Sequence, residues 1–467
     1  MIFNKISQTI LGAALVVVMS TAAQAQTGTE KSTPAGGNCV SQAEMKTIAS
    51  HFTQFAQYAN ADYCYDGSQN ANLIASIMFM RKTAFAPNMQ ASSDDLFTGR
   101  FAKSWYDYFI GRIDTLEIVN SCPKGVVAYV YAFGGKTMYA CPLALTDTFS
   151  SLDRASVFMH EARHIDGFPH ITCSKGPRQG IQGACDTRIS DGGSYAVTVE
   201  TYAQLAKYAQ DLHPALRAYA RSSAVVYADE AFENQVRINR TENLVLLTSS
   251  LDFQSLNLQT GVVTQLGKAT TAGHIIHRAQ HLVMFPDNKN LNAEYIFTRD
   301  EGQISQSPGD LFTEYNAQTP DQKANLVDFH SSAQWSARVY KNSIRFLCDP
   351  TSPSTQDVAV PAGLVSSNLI YPNGYDRNAY AVNLVMNNGS IYELGCASRK
   401  AYLKESSVKL DQNYKRLYKV NGQTIGLTAQ GQLFKVDGGK SSALTTAFDG
   451  QIIEIVPQQT FQFFETN

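Results

Sequence analysis

A chain of 467 residues exceeds what one hydrophobic core ordinarily organises, since cores stop growing at roughly 250–300 residues, so two domains are expected. With 44% apolar, 10% aromatic and only 17% charged residues it has the material to fill those cores, and the composition excludes a disordered tail in favour of a soluble globular protein. Thirty-eight Lys and Arg against 40 Asp and Glu give a net charge of −2 with no basic run, so nucleic acid is not an expected partner.

The first 25 residues read as a secretory signal peptide. Lys5 supplies the positive start, Ile10 to Met19 the apolar run, and Ala23-Gln24-Ala25 the small-residue cleavage site, so the mature chain begins near Gln26. The apolar run is shorter than the roughly 20 residues that cross a bilayer, and no later segment reaches that length, so no membrane span is expected after cleavage. A Gly/Ser/Thr/Pro-containing linker occupies 26–38. Export to the periplasm or the extracellular space fits the cysteines, which are even in number: Cys39, Cys64, Cys122, Cys141, Cys173, Cys185, Cys348 and Cys396. Nearest-neighbour disulfide pairing keeps every bridge within one half of the chain, and the lack of any close CxxC pair argues against a cysteine-bound zinc.

From Ser41 to about Ala228 the pattern is mostly helical. Ser41 followed by Glu44 is a capping box that opens a helix through about Tyr58, and a second helix is expected over Ala71 to Thr83. A hairpin comes next, Val126 to Phe133 and Lys136 to Leu143 around Gly134-Gly135. Further helices are expected over Leu152 to Ile165, Ser194 to Gln210 and Pro214 to Ala228. From about Leu244 the character changes to short apolar strands separated by Gly, Asn, Asp and Ser turns. Comparable segments start near Leu244, Leu282, Ala337, Val382 and Ile425, a spacing of about 45 residues, which is the length of one four-stranded blade of a small β-propeller.

The densest chemistry lies in Met159 to His170, MHEARHIDGFPH. On a helix, His160 and His164 stand one turn apart on a single face and can reach one metal ion, with Glu161 beside that face. Gly167 suits the left-handed turn that ends a helix and Pro169 cannot continue one, so the chain can swing His170 back toward the pair. A catalytic zinc takes a third protein ligand. His170 is one candidate, and Glu200, Asp186 and Asp191 are the others. Tyr195 and Tyr202 are candidate donors to an oxyanion. Asp166 either orients a ligand histidine or forms an ion pair at the helix end with Arg163. A second histidine group, His274, His277 and His281, has no glutamate base and sits among strands, so no metal is expected there.

The segment His160-Glu161-x-x-His164-x-x-Gly167-x-x-His170 resembles the zincin metallopeptidases, and its elongated form resembles the metzincin clan. The resemblance covers about residues 120–210 and implies zinc on His160, His164 and His170, with Glu161 as general base and acid. It also implies an antiparallel edge strand beside the active-site helix, for which Thr137 to Leu143 is the candidate. One departure stands out: metzincins carry a methionine turn under the metal, and no Met lies between Met159 and Met284.

The expected architecture is thus an α+β zincin-like domain over 39–234 followed by an all-β, propeller-like domain over 235–467. The expected function is that of an exported zinc-dependent hydrolase acting on a peptide or protein. The alternative is an extracellular binding protein whose β domain recognises a glycan or protein while the zincin-like half is inactive.

Overall fold

The computed structural model describes residues 39–86, 104–123, 126–131, 135–146, 149–175, 178–212, 214–238, 240–278, 281–287, 295–300, 303–308, 318–331, 336–347, 355–370, 381–397, 400–444 and 450–461. The expected signal peptide and linker, and Cys348, lie outside them.

The N-terminal part is α+β. Strand β1 (Cys39–Val40) pairs antiparallel with β2 (Tyr63–Cys64), and the Cys39–Cys64 disulfide joins them. Helix α1 (Gln42–His51) opens on the expected Ser41–Glu44 capping box, but it stops before Tyr58. Phe52 leaves the helical region, its ring buried against Phe55 and Phe109, and a short 3-10 turn carries Thr53–Tyr58. Helix α2 (Gln69–Lys82) starts at Ser68, whose hydroxyl accepts from the Ala71 N–H, and α3 (Trp105–Ile110) comes after it, unannounced by any long periodic run.

Among the described residues, three strands make the small sheet: β3 (Thr115–Ile118), β4 (Ala128–Val130) and β5 (Thr137–Ala140), in the order β3-β5-β4. The hairpin falls where the sequence places it, with Tyr129 opposite Tyr139. The edge strand does not. Thr137–Ala140 is held on both sides, parallel by β3 and antiparallel by β4, so β4 is the antiparallel edge beside the metal-motif helix. The short TLEI segment gave no alternation long enough to announce β3, which turns the expected edge into the centre.

Helices α4 (Ser151–Ile165), α5 (Ser194–Tyr208) and α6 (Pro214–Glu230) complete this part. They share one apolar core with α1–α3, in which Phe52, Phe109, Phe158, Tyr195 and Tyr202 are fully buried. Cys122–Cys141 and Cys173–Cys185 are bridged as nearest-neighbour pairing requires, and Cys396 is also disulfide-bonded.

Helix gives way to strand between Glu230 and Arg240, and the rest of the chain is β-rich. Among the described residues, five four-stranded antiparallel sheets succeed one another. The first contains β6 (Arg240–Thr248), β7 (Asp252–Leu256) and β8 (Val263–Lys268), and the last strand of the chain, β25 (Ile452–Phe461), pairs with β6 to complete it. The second runs from β9 (Gly273–Arg278) to β12 (Gln303–Pro308) and the third from β13 (Leu326–Ser331) to β16 (Gln356–Ala359), with helix α7 (Pro320–Asn325) leading into it. The fourth runs from β17 (Leu364–Ile370) to β20 (Lys400–Lys409) and the fifth from β21 (Arg416–Val420) to β24 (Lys440–Ala443). β25 lies against β9 and β21, and β17 lies against β13 and β21, so the first strands of the sheets and β25 gather on one side of each sheet. Apolar clusters fill the spaces between neighbouring sheets, for example Leu247, Phe253, Ile275 and Leu282 between the first and second.

Candidate metal centre

Helix α4 begins at Ser150, whose hydroxyl accepts from the Asp153 N–H, and ends where Gly167, at φ 87°, takes the left-handed conformation. The turn brings His170 onto the face already shared by His160 and His164. His160 Nε2 lies 3.0 Å from His170 Nε2 and 3.3 Å from His164 Nε2. Nitrogens holding one zinc ion tetrahedrally at roughly 2.0–2.1 Å stand about 3.3 Å apart, so the spacing fits.

The outer nitrogen of each ring is committed elsewhere. His164 Nδ1 donates to the Phe168 carbonyl at 2.5 Å, and His170 Nδ1 donates to Asp186 Oδ1 at 2.8 Å. His160 Nδ1 meets Thr198 Oγ1 at 2.8 Å, and because that hydroxyl gives its own proton to the Ser194 carbonyl, it accepts from the ring. Each ring is thus anchored through its outer Nδ1, and the three Nε2 atoms converge. Burial, reinforced by the neighbouring rings, holds His160 and His164 well below the ordinary histidine range, so both stay neutral, as metal binding requires. Three imidazole nitrogens this close form a donor set that fits zinc.

Glu161 is completely buried, and neither of its oxygens makes a hydrogen bond among the described residues. Burial pushes its carboxyl well above the ordinary glutamate range, the adjacent backbone of Val130 at the end of β4 pulling weakly the other way. A buried carboxyl with no partner is costly, which marks it as a group awaiting one.

The other candidates fall in different places. Asp186 does not join the inner atoms: its Oδ1 holds His170, and its Oδ2 accepts from the Tyr195 N–H at 2.9 Å. Gly193 leaves room for it, since a Cβ there would lie 2.4 Å from Asp186 Oδ2. Asp191 pairs with Arg188 at the surface at 3.1 Å. Glu200 is buried on α5, outside the group of donor atoms within 4.8 Å of one another formed by the three histidines. Tyr202 gives its hydroxyl to Asp153 at 2.9 Å and so is not directed at the histidines. Tyr195 packs its ring flat on His170, centroids 4.2 Å apart, and edge-on to His160 at 5.1 Å. Asp166 takes the ion-pair role, with Arg112 and Arg163 each at 2.8 Å, and touches no ligand histidine. Thr198 and Ser194 were not legible as site residues, although their place on the first turns of a helix that follows a glycine pair was a usable sign.

The His274 group also resolves differently. His277 lies on β9 and His281 on the next strand, with side chains outside the described residues, whereas His274 meets Asp328 and His330 from the next sheet. Asp328-x-His330 places both side chains on one face of a strand, a period-2 signal that goes unseen when only close histidines are counted.

No family model matches the chain, and no curated protein matches it. Similar solved structures include the WD40 domain of SCAP from fission yeast (11% identity over 44% of this chain and 44% of that one, TM-score 0.21). They also include the Pan2 WD40 domain of Neurospora crassa (11%, 44% and 60%, TM-score 0.24) and BamB from Moraxella catarrhalis (9%, 44% and 61%, TM-score 0.20). The chain spans less than two thirds of the length of each of the three, and similarity at these scores says nothing of what it does.

Proposed function

We propose that the chain is an exported zinc-dependent peptidase of the zincin type. The observation that carries this reading is the convergence of the Nε2 atoms of His160, His164 and His170, each ring anchored through its Nδ1, beside a helix that also carries the buried Glu161. His160, His164 and His170 would hold the ion, which when bound supplies Lewis-acid polarisation of a carbonyl and lowers the pKa of water toward roughly 7.

The remaining chemistry belongs to the side chains. Glu161 takes a proton from water as the attack on the carbonyl begins and returns it to the departing amine. Among the described residues no strand pairs with the outer edge of β4, and its backbone N–H and C=O groups suit an extended peptide that would add as a further antiparallel strand. The disulfides suit an oxidising compartment, and no helix among the described residues is long and apolar enough to cross a membrane.

The test is Glu161→Gln in the full chain. Peptide hydrolysis is expected to fall by at least about 100-fold while zinc content stays at the wild-type level. Turnover equal to wild type would remove Glu161 from the mechanism. Zinc retention without hydrolysis by the wild type on any unfolded protein substrate would favour the binding-protein alternative.

A further inference from the structure

A second cluster of buried ionisable groups lies where the sheets meet, and the proposed peptidase chemistry makes no use of it. Each sheet supplies a member. β9 brings His274, β13 brings Asp328 and His330, β17 brings Ser367, β21 brings Arg416 and β25 brings Glu454, all of them buried. His274 Nε2 lies 2.8 Å from Asp328 Oδ1, and His330 Nε2 lies 3.6 Å from Asp328 Oδ2, so two imidazoles turn the same nitrogen toward the two oxygens of one carboxylate. Ser367 Oγ touches His330 Nε2 at 2.9 Å and Asp328 Oδ2 at 3.1 Å. Behind His274, Glu454 Oε2 lies 3.3 Å from Nδ1.

Arg416 is the one fixed cation among the described members of the cluster: its Nε donates to Glu454 Oε1 at 2.8 Å, its Nη1 lies 3.7 Å from Asp328 Oδ2, and its Nη2 abuts His274 Nδ1. Two imidazoles and a serine hydroxyl thus gather about the buried Asp328 carboxylate, a donor set that one cation can complete.

We propose that His274, His330 and the Asp328 carboxylate bind one first-row divalent transition ion, with the Ser367 hydroxyl as a further oxygen. Their donor atoms lie within 4.8 Å of one another, and an imidazole–imidazole–carboxylate set selects such ions over calcium or magnesium. The site is closed to solvent, so the ion is structural: it ties β9 to β13 across the seam between the second and third sheets. Arg416 stays outside the coordination and neutralises Glu454.

The experiment counts zinc in the purified full chain after loading with zinc chloride and dialysis. Wild type is expected to hold about two ions, and His160→Ala with His164→Ala about one. Adding Asp328→Asn or His330→Gln to that double variant should remove the remaining ion. The double variant, whose β sheets are untouched, should also lose thermal stability with a chelator and regain it with zinc or cobalt(II). This arm decides even if the Asp328 variant does not fold. A double variant that retains no zinc and whose melting temperature ignores both chelator and zinc overturns the proposal. Because the two sites are emptied by different substitutions, failure here is separate from failure of the peptidase reading.

Discussion

Asp186 shows how much a single carboxylate outside the inner ring of donors can control. One oxygen holds the His170 ring through Nδ1 and the other holds the first turn of α5 through the Tyr195 N–H, while Gly193 provides the space. An amide can accept with only one of its two heavy atoms, so Asp186→Asn must give up one of these bonds or turn an N–H toward another donor. Zinc affinity is expected to drop about 10- to 100-fold, measured by competition with a chelator, with near-native thermal stability. Unchanged affinity would reduce Asp186 to packing. At this scale the motif was readable: His160 and His164 share a face through the helical period, and Gly167 and Pro169 forecast the turn that returns His170. The partners of the outer nitrogens were not readable, because Thr198 and Asp186 are 38 and 16 residues from the rings they hold; packing of α5 against α4 brings Thr198 there, and closure of the loop before α5 brings Asp186.

Among the elements, the loop bridged by Cys173–Cys185 has the most leverage on the site. It starts just after His170 and ends just before Asp186, and Ile171 and Cys185 exchange backbone hydrogen bonds across it. Arg178, buried inside it, lies over the Tyr195 ring at 5.2 Å. Closing a loop of this size is worth roughly 3 kcal/mol through the unfolded state. Replacing both cysteines by alanine is therefore expected to lower the melting temperature and also to weaken zinc retention, since the same closure sets the distance between His170 and Asp186. Zinc affinity equal to wild type in that variant would show that the Tyr195 N–H and the backbone of Ala231 and Glu233 position Asp186 without the disulfide. The edge strand teaches the converse point. The hairpin was legible from alternation and its Gly-Gly turn, yet which of its strands lies at the edge depends on β3, a segment too short to declare itself.

For the whole molecule, the decisive feature is that the chain's last described strand completes its first sheet. β25 pairs with β6 over most of its length, and Pro457, which has no N–H, is tolerated because β25 is the outer member of that sheet. β25 also carries Glu454 into the central cluster. A chain ending at Gln451 would leave β6 with an open edge and Arg416 without its closest carboxylate. Such a truncation is expected to abolish the cooperative thermal transition of the β-rich part and to promote aggregation. A circular dichroism melt superimposable on that of the full chain would show that the sheets close without it.

The sequence by itself determined what local geometry controls: the caps at Ser41 and Gly167, the i, i+4 histidine pair, the hairpin, the change from helix to strand and the regular spacing of the later strands. Tertiary structure alone decided which residues meet: Asp186 behind His170, β4 as the edge, β25 against β6, and His274 with Asp328 and His330. Helical and strand periods act over a few residues, whereas these contacts join segments tens to hundreds of residues apart, and nothing in the local pattern of one segment records the register at which the other arrives.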